Sequence, residues 1–315
     1  MHADARSARS SLAHVDIVLA RELREGPSAS DRVPPGRNRP QRALSSDYVL
    51  EPFEVLFEAD LPAYAVPDEL SRLYGRLGFA DRVVYSNFVS SLDGVVALGS
   101  GFSAGSVISG KFEPDRFLMA LLRACADAVV IGAGTMRATP GHLWTPAHVY
   151  PDLASSFSAL RETLGRALQP RLVVLTAEGD LDVNHPAVQK GATILTTQQG
   201  AERIGGRQPA SCDVVILGRG RQFKIARAFD ELETRGFRVI LTEGGPHLIG
   251  ELIANHLLDE AFLTLSPVIA GRGKTRRLGM VEGVDLLPLV PVWSRLVSVR
   301  RQLDYLFLRY ALPPA

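Results

Sequence analysis

Cysteine is nearly absent: the 315 residues hold two, Cys125 and Cys212, both in apolar contexts and neither in a CxxC or His-rich setting. That excludes a disulfide scaffold and a thiolate metal site, and it suggests a reducing compartment with both cysteines as small core residues. An excess of one charge is missing too. Lys plus Arg number 35 against 34 Asp plus Glu, a formal net charge of +1, so no global field draws in nucleic acid or an anionic membrane. Any small-molecule ligand must be held by a local site. No stretch reaches the roughly 20 apolar residues of a membrane span, and the start carries acids around its one apolar patch, unlike a secretory signal. The expected location is the cytoplasm.

Several motifs are also absent. Neither Gly132-Ala-Gly134 nor Gly218-Arg-Gly220 completes GxGxxG, because Arg137 and Phe223 occupy the sixth positions, and no GK[ST] follows a glycine loop to make a P-loop. No HExxH occurs among the seven histidines, and no HxE with PCxxC for a zinc deaminase, so no metal is expected. "GFSAG" (101–105) matches the GxSxG elbow of hydrolases. That elbow needs a buried strand before the serine, whereas Ser103 sits in a run of small residues, which argues against a serine nucleophile.

What is present is a chain that is 46% hydrophobic and 22% charged, enough to bury a substantial core. Residues 1–46 are rich in Arg, Ser and Pro without sustained periodicity and are expected to form a disordered arm. Residues 47–80 read as a lead-in, extended at first and then a short helix near Pro67 and Asp68; the main domain spans 81–315. Within it, strand-like runs (82–90, 127–132, 171–176, 192–197, 213–218, 238–242) alternate with helical periods such as 113–126, 225–237 and 247–257. A longer strand follows at 260–270, and the end reads as two strands around a turn near Gln302 to Asp304. The order predicts an α/β fold: a mostly parallel sheet, helices on both faces and antiparallel C-terminal strands.

In such sheets ligands bind beyond the carboxyl ends of the strands. Three of those exits bear glycine: "VVIGAGT" (129–135), "VILGRG" (215–220) and "LTEGGP" (241–246). Glycine lets backbone N–H groups approach a diphosphate, and a following helix N-terminus favours the anion. The pattern predicts a nucleotide cradle assembled from separate loops. Pro246 would then open a helix whose Leu248, Ile249, Leu252 and Ile253 face the sheet.

Together with "SSLDGVVAL" (90–98), "LLRACADAVVIGAGTMRA" (121–138), "ILTEGGPHLIGELI" (240–253) and "LLDEAFLTLSPVIAGR" (257–272), these residues resemble the reductase domain of the bacterial riboflavin-biosynthesis deaminase-reductase. The resemblance covers about 81–312 and implies a three-layer α/β/α fold like that of dihydrofolate reductase. It further implies NADPH as cofactor, a small-molecule substrate and commonly a homodimer. Carried over by motif, Gly132, Gly134 and Thr135 would border the cofactor at one strand end, and Glu243, Gly244 and Gly245 at another. Thr176 and Thr196, with Gly218, would lie on the adenosine side, the threonine hydroxyls meeting the ribose or its 2′-phosphate, or Arg219 and Arg221 supplying the charge instead. Ser91 and Asp93 of the SLDG segment would face the substrate, with Asp93 as the polar anchor of catalysis, and Arg123 would reach a substrate phosphate.

The chain departs from the family pattern in its substrate half. Val95 stands where Lys usually follows SLDG, and the "RADNPRL" loop becomes "RATPGHL" (137–143), with Thr139, Pro140 and His142 in place of Asp, Asn and Arg. The resulting expectation is an NADPH-dependent reductase acting on 5-amino-6-(5-phosphoribosylamino)uracil or a similar pyrimidine. The alternatives are a dihydrofolate or pteridine reductase, and a cofactor-binding protein that has lost catalysis.

Overall fold

A computed structural model describes residues 50–99 and 104–314; the expected arm at 1–46 and Ser103 lie outside the described residues. The strands are β1 (Glu54–Glu58), β2 (Val83–Ser90), β3 (Ala97–Leu98), β4 (Ala128–Gly132), β5 (Arg171–Thr176), β6 (Ala192–Thr197), β7 (Asp213–Gly218), β8 (Val239–Thr242), β9 (Glu260–Leu265), β10 (Arg277–Leu278), β11 (Arg295–Gln302) and β12 (Tyr305–Ala311). The helices are α1 (Asp68–Tyr74), α2 (Ala104–Ile108), α3 (Glu113–Cys125), α4 (Ala133–Ala138), α5 (Pro146–Val149), α6 (Ala154–Thr163), α7 (Pro186–Gln189), α8 (Gln198–Ile204), α9 (Ile225–Thr234) and α10 (Pro246–Ala254).

Ten strands form one sheet in the order β1-β11-β12-β9-β2-β8-β4-β5-β6-β7. From β9 to β7 every neighbouring pair is parallel, while β12, β11 and β1 continue it antiparallel. The parallel strands are buried on both faces, which is why they read as unbroken apolar runs. Ala128, Val130, Val173, Leu195 and Ile240 share one face with Phe229 and Leu232 of α9 and with Ile249 and Leu252 of α10. The alternate residues Val129, Ile131, Val174 and Leu241 are equally buried on the other face, where α3 packs against β8.

Within the lead-in, residues 50–80 contribute to this sheet. β1 pairs with β11, and Arg300 of β11, 1% exposed, binds Glu58 of β1 and the carbonyls of Tyr74, the last residue of α1, and Arg76 just after it. Residues Leu50 to Ala315 form one compact unit. The signal for β1 was weak because the strand lies at an edge, with Val55, Leu56 and Phe57 nearly half exposed. The strand expected at 260–270 stops at Leu265. There Ser266 N–H donates to Ser90 O, and Pro267 brings no donor to continue the ladder. Both cysteines are buried, as their apolar contexts suggested.

Candidate active site

β8 enters the sheet between β2 and β4, although it follows both in sequence. The loops leaving these three strands surround a cleft of about 860 Å³, within the size range of small-molecule sites. Its lining runs from Asn87–Val89 of β2 and Val96–Leu98, past Ser109, Lys111, Asp115 and Arg116 at the start of α3, to Gly132–Thr139 (Ala133, Met136 and Arg137 excepted) and Glu243–Leu248.

Six of the cofactor residues expected from sequence converge here: Gly132, Gly134, Thr135, Glu243, Gly244 and Gly245. The glycines differ in what they do. Gly132 and Gly245 have φ of −86° and −71°, conformations open to any residue. A Cβ on Gly132 would meet nothing within 4 Å, and one on Gly134 or Gly245 would meet its nearest atom at 3.9 or 4.0 Å. The fold therefore does not require glycine at these three positions; leaving out the side chain keeps room at the cleft wall. Gly244 is different, since its Cβ would fall 2.4 Å from Leu248 Cδ2 of α10.

Thr176, Thr196 and Gly218 are not among the residues lining this cleft. Thr196 is fully buried and its hydroxyl donates to Thr176 O at 2.6 Å. Gly200 of α8 lies so close that a Cβ there would come 2.0 Å from Thr196 Oγ1. Helix α8 thus closes over this strand end, and Thr197, accepting from Gly200 N–H, caps it.

Arg123 was expected to reach a substrate phosphate, and its position corrects that expectation. It is 1% exposed and binds Glu243 through two bonds, Nε to Oε1 at 2.8 Å and Nη2 to Oε2 at 2.6 Å. Its remaining donors go to Leu143 O at 3.2 Å and His142 Nε2 at 2.9 Å. Every strong bond is internal. The pair fixes the carboxylate of Glu243 at the cleft wall and ties the 142–145 loop to α3. Because Nε2 of His142 accepts from the guanidinium, that imidazole is neutral. Burial, then the positive charge of Arg123, holds its pKa down to about 3.

Ser91 and Asp93 are also engaged internally. Ser91 Oγ donates to Asp93 Oδ1 at 2.6 Å, and the Ala270 and Gly271 N–H groups donate to Oδ1 and Oδ2 at 2.9 and 2.8 Å. Neither residue lines the cleft. Asp93 instead ties the turn after β2 to the loop after β9. These bonds, chiefly the Ser91 hydroxyl, lower its pKa to about 2, so near neutrality it holds no proton to give.

Sequence reasoning missed Asp115. It lies in the first turn of α3, lines the cleft and is only 4% exposed. Burial, with a smaller push from the charge of Glu243, raises its pKa to about 6, while the hydroxyls of Thr264 and Ser109 beside it act the other way. One signal was available: at helical spacing Asp115 falls in the stripe of Leu118 and Leu122, so the period of 3.6 aligns a carboxyl with core positions.

The sequence profile of the RibD C-terminal domain matches residues 82–299. The chain belongs to this family. Two curated relatives are each named 2,5-diamino-6-ribosylamino-4(3H)-pyrimidinone 5′-phosphate reductase. The one from Aquifex aeolicus is 25% identical over 199 residues, covering 62% of this chain and 82% of the relative; the one from Archaeoglobus fulgidus is 25% identical over 193 residues, covering 60% and 81%. Among solved structures, a pyrimidine reductase-like protein from Corynebacterium diphtheriae superposes with a TM-score of 0.62 at 21% identity, covering 78% of this chain and 99% of that one. The deaminase/reductase of Thermotoga maritima superposes with a TM-score of 0.54 at 20% identity, covering 74% of this chain and 57% of that one. The RibD reductase fold, of the dihydrofolate-reductase type, is therefore the fold of this chain. Its family motifs fall on both walls of the cleft, at the exits of β4 and β8.

Proposed function

We propose that this RibD-family protein is an oxidoreductase that uses NADPH to reduce a pyrimidine-type small molecule, most closely a ribosylaminopyrimidine phosphate. The observation that carries this reading is the ligand-sized cleft with Gly132, Gly134 and Gly245 on its wall, where the backbone conformation and the packing leave side-chain space empty. A dihydronicotinamide bound there supplies a hydride. The open backbone at these glycines and the hydroxyl of Thr135 would hold it. Glu243, fixed by Arg123, presents a carboxylate whose position costs no reorganisation during the reaction. The apolar side chains Val89, Val96, Leu98 and Met119, also on the lining, would exclude water and accept the face of a planar ring.

Lys111 and Arg116 are the Lys and Arg side chains on the cleft lining, and they take the phosphate role once expected of Arg123. Arg116 already donates to Val149 O at 2.7 Å, which leaves further guanidinium donors to pair with a phosphate. Free, buried thiols at Cys125 and Cys212 suit a reducing compartment, and we place the protein in the cytoplasm. Among the described residues no helix is long and apolar enough to cross a membrane. A homodimer would cover exposed apolar residues such as Leu289 and Trp293, 88% and 81% exposed.

Calorimetric titration with NADPH and NADH tests the cofactor, and NADPH oxidation with the ribosylaminopyrimidine phosphate and dihydrofolate in parallel tests the substrate. The expected result is preferential NADPH binding and oxidation with the pyrimidine. Absence of binding to either nucleotide would overturn the reading, and binding without oxidation would point to a protein that keeps the cofactor and has lost the reaction.

A further inference from the structure

We propose that the pole of the sheet opposite the cleft carries a second small-molecule site, in which Arg166 binds the carboxylate of a small aromatic acid.

The cleft lies beyond the carboxyl ends of the parallel strands. At their amino ends a separate cavity of about 330 Å³ opens, near the lower size limit of ligand sites. Its walls come from the segments that lead into those strands: Asp81 before β2, Asp127 before β4, Arg166 before β5 and Arg238 before β8. β4 spans five residues, so at about 3.3 Å per residue it sets the two sites about 16 Å apart.

Arg166 marks this cavity as a site. Its side chain is 10% exposed, and its Nε lies 3.2 Å from Asp127 Oδ1. Its Nη1 is buried with no hydrogen-bond partner among the described residues. An unmade bond on a buried charged group is costly, so a native guanidinium in this state calls for an acceptor. Asp127 is already engaged, since its Oδ2 accepts from the Arg238 and Val239 N–H groups at 2.9 and 2.8 Å.

Directly behind the wall stands Arg161, 2% exposed. Its Nε donates to Ala167 O and its Nη1 to the carbonyls of Ala124 and Ala126, yet its Nη2 is also buried without a partner among the described residues. Arg238 is exposed at the rim and makes no ion pair among the described residues. On the lining and just behind it, three guanidinium groups thus stand against two carboxylates, Asp81 and Asp127. One positive charge is left over, which complements a monoanion better than a phosphate dianion.

The rest of the wall selects the body of the ligand. Tyr64, Phe79 and Leu164 offer apolar surface to a ring, and the Arg166 guanidinium lies 5.8 Å from the Tyr64 ring centroid. Burial raises the pKa of Tyr64, so the phenol keeps its proton and can donate a hydrogen bond to a carboxylate.

The test is calorimetric titration of the full-length protein with sodium benzoate at constant ionic strength, with inorganic phosphate in parallel. Benzoate should bind with a Kd on the order of 1 mM, as a ligand of its size supports, and phosphate at least about tenfold more weakly. Arg166→Gln should weaken benzoate binding about tenfold or more, because it removes a charge-assisted bond. Arg238→Gln and Tyr64→Phe, which leave Arg166 beside Asp127, should each weaken it about threefold, and they decide the matter if Arg166→Gln does not fold. Benzoate should also raise the unfolding temperature of the wild type and leave that of Arg166→Gln unchanged. No benzoate binding by the wild type, equal affinity in the wild type and the variants at this pole, or phosphate binding as tight as benzoate would overturn the proposal. So would a loss confined to Arg116→Gln, which would put the anion in the cleft. NADPH is left out of every arm, so the reductase reading stands or falls separately.

Discussion

Two aspartates near one strand end show how far packing separates identical side chains. Asp93, in the turn after β2, meets a hydroxyl and two backbone N–H groups, and its pKa drops to about 2. Asp115, at the start of α3, is buried against the cleft with Glu243 nearby, and its pKa rises to about 6. The first group is a structural tie, always charged at working pH. The second is an acid poised near neutrality. The lesson is that donor count and burial, more than residue type or motif membership, decide which carboxyl can do chemistry.

The largest expected effect bears on the third carboxyl group, Glu243, which Arg123 holds at both oxygens. Arg123→Met leaves it buried without a partner and should cost about 3–5 kcal/mol, read from denaturant unfolding. Next comes the pH dependence of stability at Asp115. Its folded pKa of about 6 exceeds the ordinary carboxylate value of about 4, so the folded state binds the proton more tightly. That contribution is complete below pH 4 and is lost as pH rises through 6, on the order of 3 kcal/mol at 1.36 kcal/mol per pH unit. In Asp115→Asn, unfolding measured from pH 4 to 7 should lack this slope; an unchanged slope would dissolve the contrast.

Asp93 should behave oppositely. Its folded pKa is depressed, so its contribution is present above pH 4 and is lost as pH falls through 2. Asp93→Asn should therefore flatten the acid limb of a stability profile taken between pH 4 and 2, while turnover near neutrality keeps its wild-type pH dependence. The smallest effect on the fold is expected at the cleft wall. Gly245→Ala, whose Cβ meets nothing closer than 4.0 Å, should change stability by less than about 0.5 kcal/mol yet weaken NADPH binding by about tenfold, or 1.4 kcal/mol.

Much of the fold was legible in the sequence because buried parallel strands and amphipathic helices write their periods plainly. β4, β5, β6 and β7 fall within a residue of the apolar runs, and Pro246 opens α10 as its position in the chain predicted. β1 was not assigned to the sheet because an edge strand with outward-facing apolar residues carries little pattern. In the site, the glycine exits of β4 and β8 were legible, since a side-chain-free backbone is visible in the sequence wherever the strand is. The charged residues were not. Arg123 was assigned to a phosphate, but which carboxylate an arginine meets depends on segments 120 residues apart.

The sequence by itself determined the strand and helix order, the glycine-bearing exits and the family, because these depend on local period and on residue types read directly along the chain. Only the tertiary structure decided that Arg123 serves Glu243, that Asp93 ties two loops, that α8 covers Thr196, and that Asp115 is the carboxyl at the cleft in which burial favours the proton. Those outcomes turn on desolvation and on donors brought together from distant parts of the chain, and no spacing along the sequence encodes either.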